Sequence, residues 1–177
     1  MRALADRGRI LTFMRRLAAE ADTETRVYLT GGASAVVEGW RDTTIDVDIK
    51  MVPDRDVLLR AIPPLKESLQ LNVELASPDD FIPVREGWPD RSPFILREGK
   101  VSFHHFEFAA QALAKIERGH DQDLADVRVM IDRGLVDTVA LEQYFDVIEP
   151  MLYRYPALDA VEFRRALRAF LDEGQAD

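Results

Sequence analysis

Two aspartates, Asp46 and Asp48, are the residues of this sequence best suited to chemistry. They alternate with apolar residues in the run 44–51, and a period of two puts both carboxylates on one face of a strand. Carboxylates so close together repel each other unless a cation lies between them. Oxygen ligands of this kind suit Mg²⁺, which binds one or two carboxylates together with water and substrate phosphates. The alternative is a half-exposed strand with an ordinary polar face.

A pair of glycines lies one short helix upstream of the aspartates. Gly31 and Gly32 close a β-branched and aromatic run at 26–30, and Gly39 is placed to end a helix that follows them. This order predicts a strand, a turn and a helix. Glycines let the backbone approach a ligand closely, and the N–H groups at a helix start bind phosphate oxygens. A phosphate-binding turn at this distance favours the metal-site interpretation of the aspartates over the polar-face alternative.

This combination resembles the nucleotidyltransferase superfamily, whose hallmark is Gly-Gly or Gly-Ser, a short helix, and Asp-x-Asp on the next strand. More narrowly, it is similar to small bacterial nucleotidyltransferase-like proteins related to the toxin halves of toxin–antitoxin and abortive-infection systems. Those proteins also carry an Arg with hydroxyl residues and, far downstream, a Lys followed by an Asp-rich helix. The matching positions are Gly31, Gly32, Arg41, Thr43, Thr44, Asp46, Asp48, Lys115 and Asp123.

The resemblance implies transfer of a nucleoside monophosphate from a nucleoside triphosphate to an acceptor hydroxyl, with release of pyrophosphate. It implies Mg²⁺ or Mn²⁺ as the cofactor and ATP or another triphosphate as the substrate. The acceptor would be an RNA end such as that of tRNA, a protein or a small molecule, and the partner an antitoxin. The alternative is a catalytically degenerate subunit that senses a nucleotide or binds a partner. A metal-dependent phosphoesterase is disfavoured because the sequence lacks a His-rich site.

The resemblance also implies roles for the acidic residues. Asp46 and Asp48 would bind the metal, and a third carboxylate would come from a strand beside them. The run 71–76 alternates in the same way and predicts that strand. Glu74 is therefore the candidate for the third metal-binding and catalytic carboxylate, and Glu107 is the alternative.

The predicted nucleotide-binding residues are Gly31, Gly32, Ser34, Lys115 and Asp123. The glycines would hold the triphosphate, Lys115 would neutralise it, and Asp123 would orient Lys115 or contact the nucleotide. Family members often have Ser or Thr directly after the glycines, whereas this chain has Ala there and Ser34 one place later. For Lys115, the alternative is a surface lysine whose stem covers apolar neighbours.

Two adjacent histidines, His104 and His105, invite a metal-site interpretation of their own. They lie in a predicted hairpin, and successive residues of a strand point to opposite faces. The two side chains therefore cannot readily bind one ion, and we assign neither of them to the metal site.

The predicted secondary structure changes along the chain from strands and helices to helices alone. Residues 1–106 hold the alternating runs and predict an α/β lobe, in which helices flank a small mixed sheet. Residues 107–177 show helical spacing of apolar residues and predict a helical lobe that completes the cleft. The predicted fold is therefore α+β. Pro63 and Pro64 predict an interruption in one helix of the first lobe.

The composition of the chain excludes several classes of site and partner. The chain has 177 residues, of which 47% are hydrophobic, as is ordinary for a globular protein. It has no cysteine, which excludes a disulfide framework, a thiolate metal site and a cysteine nucleophile. The net charge of −9 argues against broad affinity for nucleic acid. A charged N-terminus and the lack of a membrane-length apolar run predict a cytoplasmic protein without a membrane partner.

Overall fold

The computed structural model describes residues 4–174, which form two compact units. The first unit contains the described residues up to Ser77 together with Ser92–Phe106. The second contains Pro78–Arg91 together with the described residues from Glu107 onward. Within this part of the chain, no helix has the length and apolar character needed to cross a bilayer.

The predicted lobes, 1–106 and 107–177, divide the chain slightly differently. Residues 1–3 and 175–177 of those lobes lie outside the described residues. The segment Pro78–Arg91 belongs to the second unit, although the sequence placed it in the first lobe. A division into two lobes with a cleft stays a prediction.

The first unit is built on a five-stranded mixed sheet beside a two-stranded sheet, as far as the described residues show. Its elements in chain order are β1 (Ala5–Asp6), α1 (Arg7–Ala19), β2 (Thr25–Thr30), α2 (Gly31–Glu38), β3 (Thr43–Thr44), β4 (Asp46–Val52), α3 (Asp56–Leu69), β5 (Asn72–Leu75), β6 (Phe94–Glu98) and β7 (Val101–His105). The large sheet has the order β5-β4-β2-β7-β6, and β1 pairs with β3. Strand β2 is antiparallel to β4 and parallel to β7, while β4 is parallel to β5. The predicted α+β fold is confirmed.

One face of the large sheet carries the hydrophobic core of the first unit. Alternation along β2 and β4 turns every second residue toward helices α1 and α3. The fully buried members of this core include Ile10, Phe13, Met14, Leu17, Val27, Leu29, Val47, Ile49 and Leu58. Burying one such side chain contributes about 1.5–3 kcal/mol. The core therefore fixes which face of β4 is apolar, and the aspartates take the other face.

Helix α3 runs through Pro63 and Pro64, so the predicted interruption there is wrong. Proline lacks the backbone N–H and crowds the carbonyl four residues earlier. Both prolines lie on the exposed side of the helix, where water can replace a lost hydrogen bond. Leu58, Ile62 and Leu65 stay buried on either side of them. Continuous burial of this apolar stripe outweighs the local preference of proline.

Helices are the only regular elements of the second unit in the residues described here. Its elements are two short 3₁₀ helices (Pro78–Asp80 and Trp88–Arg91), α4 (Phe108–Arg118), α5 (Asp121–Asp132), α6 (Thr138–Ile148), a third 3₁₀ helix (Glu149–Arg154) and α7 (Ala160–Glu173). Helix α4 packs against α5, α6 and α7. Asp137 and Asp159 cap α6 and α7 by accepting two backbone N–H bonds each, as aspartate commonly does at this position.

Candidate functional site

Strand pairing brings the three predicted carboxylates to one face of the large sheet. In the parallel pair of β4 and β5, Asp46 lies opposite Asn72, and Asp48 lies opposite Glu74. Residues directly opposite each other in a sheet point to the same face. Asp46 and Asp48 are half-buried and Glu74 is exposed, whereas Val47 between the aspartates is fully buried. The acidic side chains thus share the face opposite the hydrophobic core.

Asp48 also lies against the first glycine of the predicted turn. Thr30, the last residue of β2, pairs with Asp48 across the antiparallel ladder, and α2 begins at the next residue, Gly31. Gly31 has a φ of +57°, in the left-handed region that favours glycine. A Cβ atom on Gly31 would stand 3.0 Å from Oδ2 of Asp48. The chain therefore passes from strand to helix at Gly31 itself, without a separate turn, and keeps the carboxylate beside the helix start.

Gly32 is required by close packing within the chain. A Cβ atom at this position would lie 2.0 Å from Oγ1 of Thr44 and 3.5 Å from Nη1 of Arg41. Thr44 pairs with Ala5 in the small sheet, and its hydroxyl donates to the carbonyl of Asp46 at 3.1 Å. The absence of a side chain at Gly32 lets α2 approach the segment that leads into β4. The same packing brings the Arg41 guanidinium beside the helix start.

Charges of both signs therefore meet at this end of the first unit. The start of α2 carries the partial positive charge of the helix dipole, and the guanidinium of Arg41 lies beside it. The carboxylates of Asp46, Asp48 and Glu74 lie along the neighbouring strands. Cationic groups and helix N–H groups attract phosphate oxygens, whereas carboxylates attract divalent cations. The arrangement suits a ligand that carries both.

The acidic residues fit a divalent ion by donor chemistry and by their shared face. Among the described residues, however, no group of three or more His, Cys, Asp or Glu side chains is arranged to hold a metal. Asn72 binds two of these carboxylates, because its Nδ2 donates to Oδ1 of Asp46 at 2.5 Å and to Oε1 of Glu74 at 3.0 Å. Asn72 is therefore the group that would have to release Asp46 to a cation.

Ser34, a predicted nucleotide-binding residue, is fully buried. Its Oγ lies 2.7 Å from Nδ1 of His105, and Nε2 of the same ring lies 3.1 Å from Oε2 of Glu38. Ser34 and Glu38 are one helical turn apart, so they share a face of α2. The Ser34 hydroxyl thus points to His105 in the interior, and its contact with a nucleotide stays a prediction.

His105 is uncharged at neutral pH. Burial, with a smaller contribution from neighbouring His104, lowers the pKa of His105 from 6.5 to about 4. The carboxylate of Glu38 favours the charged imidazolium, but the loss of solvation on burial outweighs it. The His104 ring contacts the carbonyl of Ser92 and the hydroxyl of Ser102 instead. The sequence did not identify the contact of His105 with α2; the Ser-x-x-x-Glu spacing on that helix is the signal that could have suggested it.

Lys115 and Asp123, the remaining predicted nucleotide-binding residues, lie in the second unit. The buried ammonium of Lys115 donates to Asp123 at 3.1 Å and to Asp126 at 2.7 Å. Arg118 binds Asp123 through Nε at 2.7 Å and Nη2 at 2.6 Å. Burial would raise the pKa of Asp123, but the bonds from Arg118 and the charge of Lys115 lower it. Asp123 thus contacts Lys115 as expected, Asp126 is an additional partner, and a nucleotide contact stays a prediction.

Glu107, the alternative third carboxylate, is engaged within the second unit. Its Oε1 accepts a bond from Arg91, and its Oε2 accepts one from the Tyr144 hydroxyl at 2.9 Å. The backbone N–H of Arg85 donates to the same hydroxyl at 2.9 Å. Both oxygens of Glu107 therefore anchor the loop that ends at Arg91. Glu74 is the better candidate because it shares a sheet face with the two aspartates.

The chain that carries these glycines and aspartates is also similar in sequence to a known protein family. A family model described as a nucleotidyltransferase of unknown function (DUF6036) matches residues 8–172. The chain belongs to this family. The predicted relation to nucleotidyltransferases is therefore confirmed, and membership of the family implies a nucleotide substrate. No curated protein and no solved structure matches the chain.

Replacing Gly32 by alanine tests whether the close approach to Thr44 is a constraint of the fold. We expect Gly32→Ala to lower the free energy of unfolding by about 1–3 kcal/mol, as overpacking commonly does. Adding Thr44→Ala should recover part of the loss, because the Cβ of Thr44 would still lie 2.8 Å away. Gly8→Ala is the control, since its Cβ would have an ordinary contact at 3.4 Å. Equal losses at both glycines in chemical denaturation would contradict the packing argument.

Replacing Lys115 by methionine tests the buried charge cluster. We expect Lys115→Met to destabilise the protein by about 3–5 kcal/mol, because it leaves buried carboxylates without their shared cation. Adding Asp126→Asn should recover part of this loss. The control is Arg118→Met, whose side chain is half-exposed, and which should cost about 1 kcal/mol or less. Similar losses for the two single variants in urea unfolding would show that burial of Lys115 does not matter.

The pKa of His105 predicts a pH dependence of stability. Because this pKa is lower in the folded protein than its ordinary 6.5, the unfolded chain binds more protons between pH 6.5 and about 4. We expect the contribution of His105 to be fully present above pH 6.5 and to be lost as the pH falls to 4. Unfolding of His105→Gln should show a smaller change over this range. An identical slope in both proteins would contradict a buried neutral imidazole.

Proposed function

We propose that this protein is a metal-dependent nucleotidyltransferase. An acceptor hydroxyl attacks the α-phosphorus of a nucleoside triphosphate, a new P–O bond forms, and the bond to the β-phosphate breaks. Pyrophosphate leaves, and the hydroxyl proton passes to a carboxylate. Family membership supports the general class, and the metal, the nucleotide and the acceptor are parts of the proposal.

The observation that carries this proposal is the position of Asp48. It lies in register with Glu74 on one side and with Thr30, at the end of β2, on the other. Its carboxylate stands beside Gly31 at the start of α2. A single side chain thus adjoins both the acidic face, suited to cations, and a helix start, suited to phosphates. A triphosphate with its divalent ion requires that combination.

The acidic residues would have two roles, metal binding and acceptance of a proton. Asp46 and Asp48 would hold the divalent ion with their carboxylate oxygens, and Glu74 would complete the ligand set from the neighbouring strand. Bound there, the ion would stabilise negative charge on the attacking and leaving oxygens. Glu74 is the exposed member of the three, so it would be the one to accept the proton of an acceptor hydroxyl.

The cationic groups would position the triphosphate. The backbone N–H groups at Gly31 and Gly32 and the guanidinium of Arg41 lie at the same helix start. An arginine binds phosphate oxygens through two N–H groups in a fixed fork. Lys115 would also contact the triphosphate, although two carboxylates in its own unit already offset its charge. In the first unit, Arg41 would contribute a positive charge at the helix start.

A nucleotide-sensing or partner-binding subunit without turnover is the second candidate. The two bonds that Asn72 donates to Asp46 and Glu74 favour it, because an amide that satisfies both carboxylates competes with a cation for them. In this case, nucleotide binding would persist and label transfer would be absent.

The nature of the acceptor is open to direct test. The resemblance to toxin-related proteins points to an RNA end, a protein or a small molecule as the acceptor, and separately to an antitoxin as a partner. In α7, Arg164 pairs with Asp146 and Glu149, and Arg165 pairs with Glu162, so these two arginines add little attraction for RNA. An assay should therefore offer total RNA, candidate proteins and small hydroxyl compounds side by side.

Labelled nucleotides test the proposal. The purified protein is incubated with each triphosphate labelled at the α- or γ-phosphate, Mg²⁺ or Mn²⁺, and the acceptors. We expect transfer of the α-label alone, since the γ-phosphate leaves together with the β-phosphate as pyrophosphate. Asp48→Asn should lower the rate at least about a hundredfold, because metal ions contribute several kcal/mol to such reactions.

The matched control is Asp54→Asn, an exposed aspartate just after the same strand, which should retain full activity. Transfer of γ-label instead would indicate a kinase, and full activity of Asp48→Asn would contradict the proposed site. Tight metal-dependent nucleotide binding without transfer would support the second candidate. Absence of metal-dependent nucleotide binding would rule out both.

A further inference from the structure

Helix α2 has little intrinsic stability of its own. It spans eight residues, Gly31–Glu38, and begins with two glycines, the residues least favourable to a helix after proline. The side chain of Thr30 makes no capping hydrogen bond at its start. Isolated helices shorter than about 12–15 residues are marginal in water. The position of this helix, and of the glycines that begin it, must therefore come from contacts with the rest of the unit.

His105 supplies such a contact to two residues on one face of α2. Its two ring nitrogens reach Ser34 at 2.7 Å and Glu38 at 3.1 Å. His105 is the last residue of β7 and lies in register with Leu29 of β2. The backbone N–H of Phe106 donates to the carbonyl of Leu29 at 2.8 Å. The ring is thus fixed to the central strand that leads directly into α2.

The chemistry of the two partners determines the protonation of the ring. A carboxylate oxygen of Glu38 only accepts hydrogen bonds, so Nε2 must carry the proton. In a neutral imidazole, Nδ1 then has a free lone pair and accepts a bond from the hydroxyl of Ser34. Of the two neutral tautomers, only this one satisfies all three groups. In the other neutral tautomer, the unprotonated Nε2 would face the carboxylate of Glu38, which puts two acceptors against each other.

We infer that His105, as the neutral Nε2–H tautomer, is a positioning residue that holds α2 against the sheet through Ser34 and Glu38. It thereby sets the place of Gly31 beside Asp48. His105 touches no substrate in this role. Its consequence for nucleotide binding rests on the proposed function, whereas its effect on α2 does not.

The tautomer can be measured on the unmodified protein. Long-range ¹H–¹⁵N correlation spectra of the histidine rings at pH 7 distinguish the two neutral tautomers and the imidazolium. We expect His105 to show a protonated Nε2 and an unprotonated Nδ1, assigned by comparison with His105→Gln, which removes the His105 signal and leaves those of His104 and His120 in place. A protonated Nδ1, or a charged ring, would overturn the inference.

Hydrogen exchange of the α2 amides tests the positioning role. We expect Ser34→Ala and Glu38→Ala to speed exchange in α2 about tenfold, the equivalent of one lost hydrogen bond of about 1.4 kcal/mol. Glu38→Gln, which retains an acceptor oxygen, should restore most of the protection. His105→Gln should have the largest effect, and the neighbouring His104→Gln should leave α2 unchanged. Unaltered exchange in Ser34→Ala and Glu38→Ala, or equal effects of the two histidine variants, would overturn the inference.

Binding of ATP with Mg²⁺ connects the inference to the candidate site. We expect about 10-fold weaker binding, or more, in Ser34→Ala and Glu38→Ala, as is usual when a group that orients a direct contact is lost. Binding by Glu38→Gln should remain close to that of the unmodified protein. Undiminished binding by the alanine variants, with faster exchange in α2, would show that α2 does not set the nucleotide contact. If the unmodified protein binds no ATP, the proposed function fails for that nucleotide, and the spectra and exchange rates still decide the role of His105.

Discussion

The register of β4 between β2 and β5 is the constraint on which the candidate site depends. It sets Asp48 opposite both Thr30 and Glu74. A slip of one residue would turn the aspartates into the core and expose Val47 and the other buried residues of the strand. Burying two carboxylates without partners is far more costly than burying the apolar residues is favourable. The hydrophobic effect therefore fixes the position of the acidic residues, although none of them contributes to the core.

The glycines show how a fold requirement and a ligand site can coincide. Gly31 adopts a left-handed backbone, and Gly32 has no room for a side chain next to Thr44. Both glycines are thus explained by the chain alone, so a Gly-Gly pair is weak evidence for a phosphate site by itself. The evidence becomes stronger because the helix start that they create lies beside Asp48. Placement of a charged partner, and not the glycines, distinguishes a ligand site from a tight turn.

Local patterns in the sequence were sufficient for the strands of the large sheet, the polar face of β4 and the helical character of the second unit. Alternation identified the face of Asp46 and Asp48 because period two is a property of the strand itself. The contact between Ser34 and His105 spans 71 positions and depends on the parallel pairing of β2 with β7, which no local pattern specifies. The continuous helix through Pro63 and Pro64 was missed for a related reason. Burial of residues on both sides decided that helix, and burial is a property of the whole unit.

The cationic residues illustrate a further limit of motif reasoning. Lys115 and Asp123 match the family pattern in type and spacing, yet the structure gives Lys115 a second acidic partner in Asp126 and gives Asp123 a second cation in Arg118. A lysine balanced in this way contributes less potential to an incoming triphosphate than an isolated one would. Its carboxylate partners also keep the ammonium in one place, which lowers the entropy lost on binding a ligand. The acidic helix therefore weakens the electrostatic attraction of Lys115 for an anion and, at the same time, fixes the position of its ammonium group.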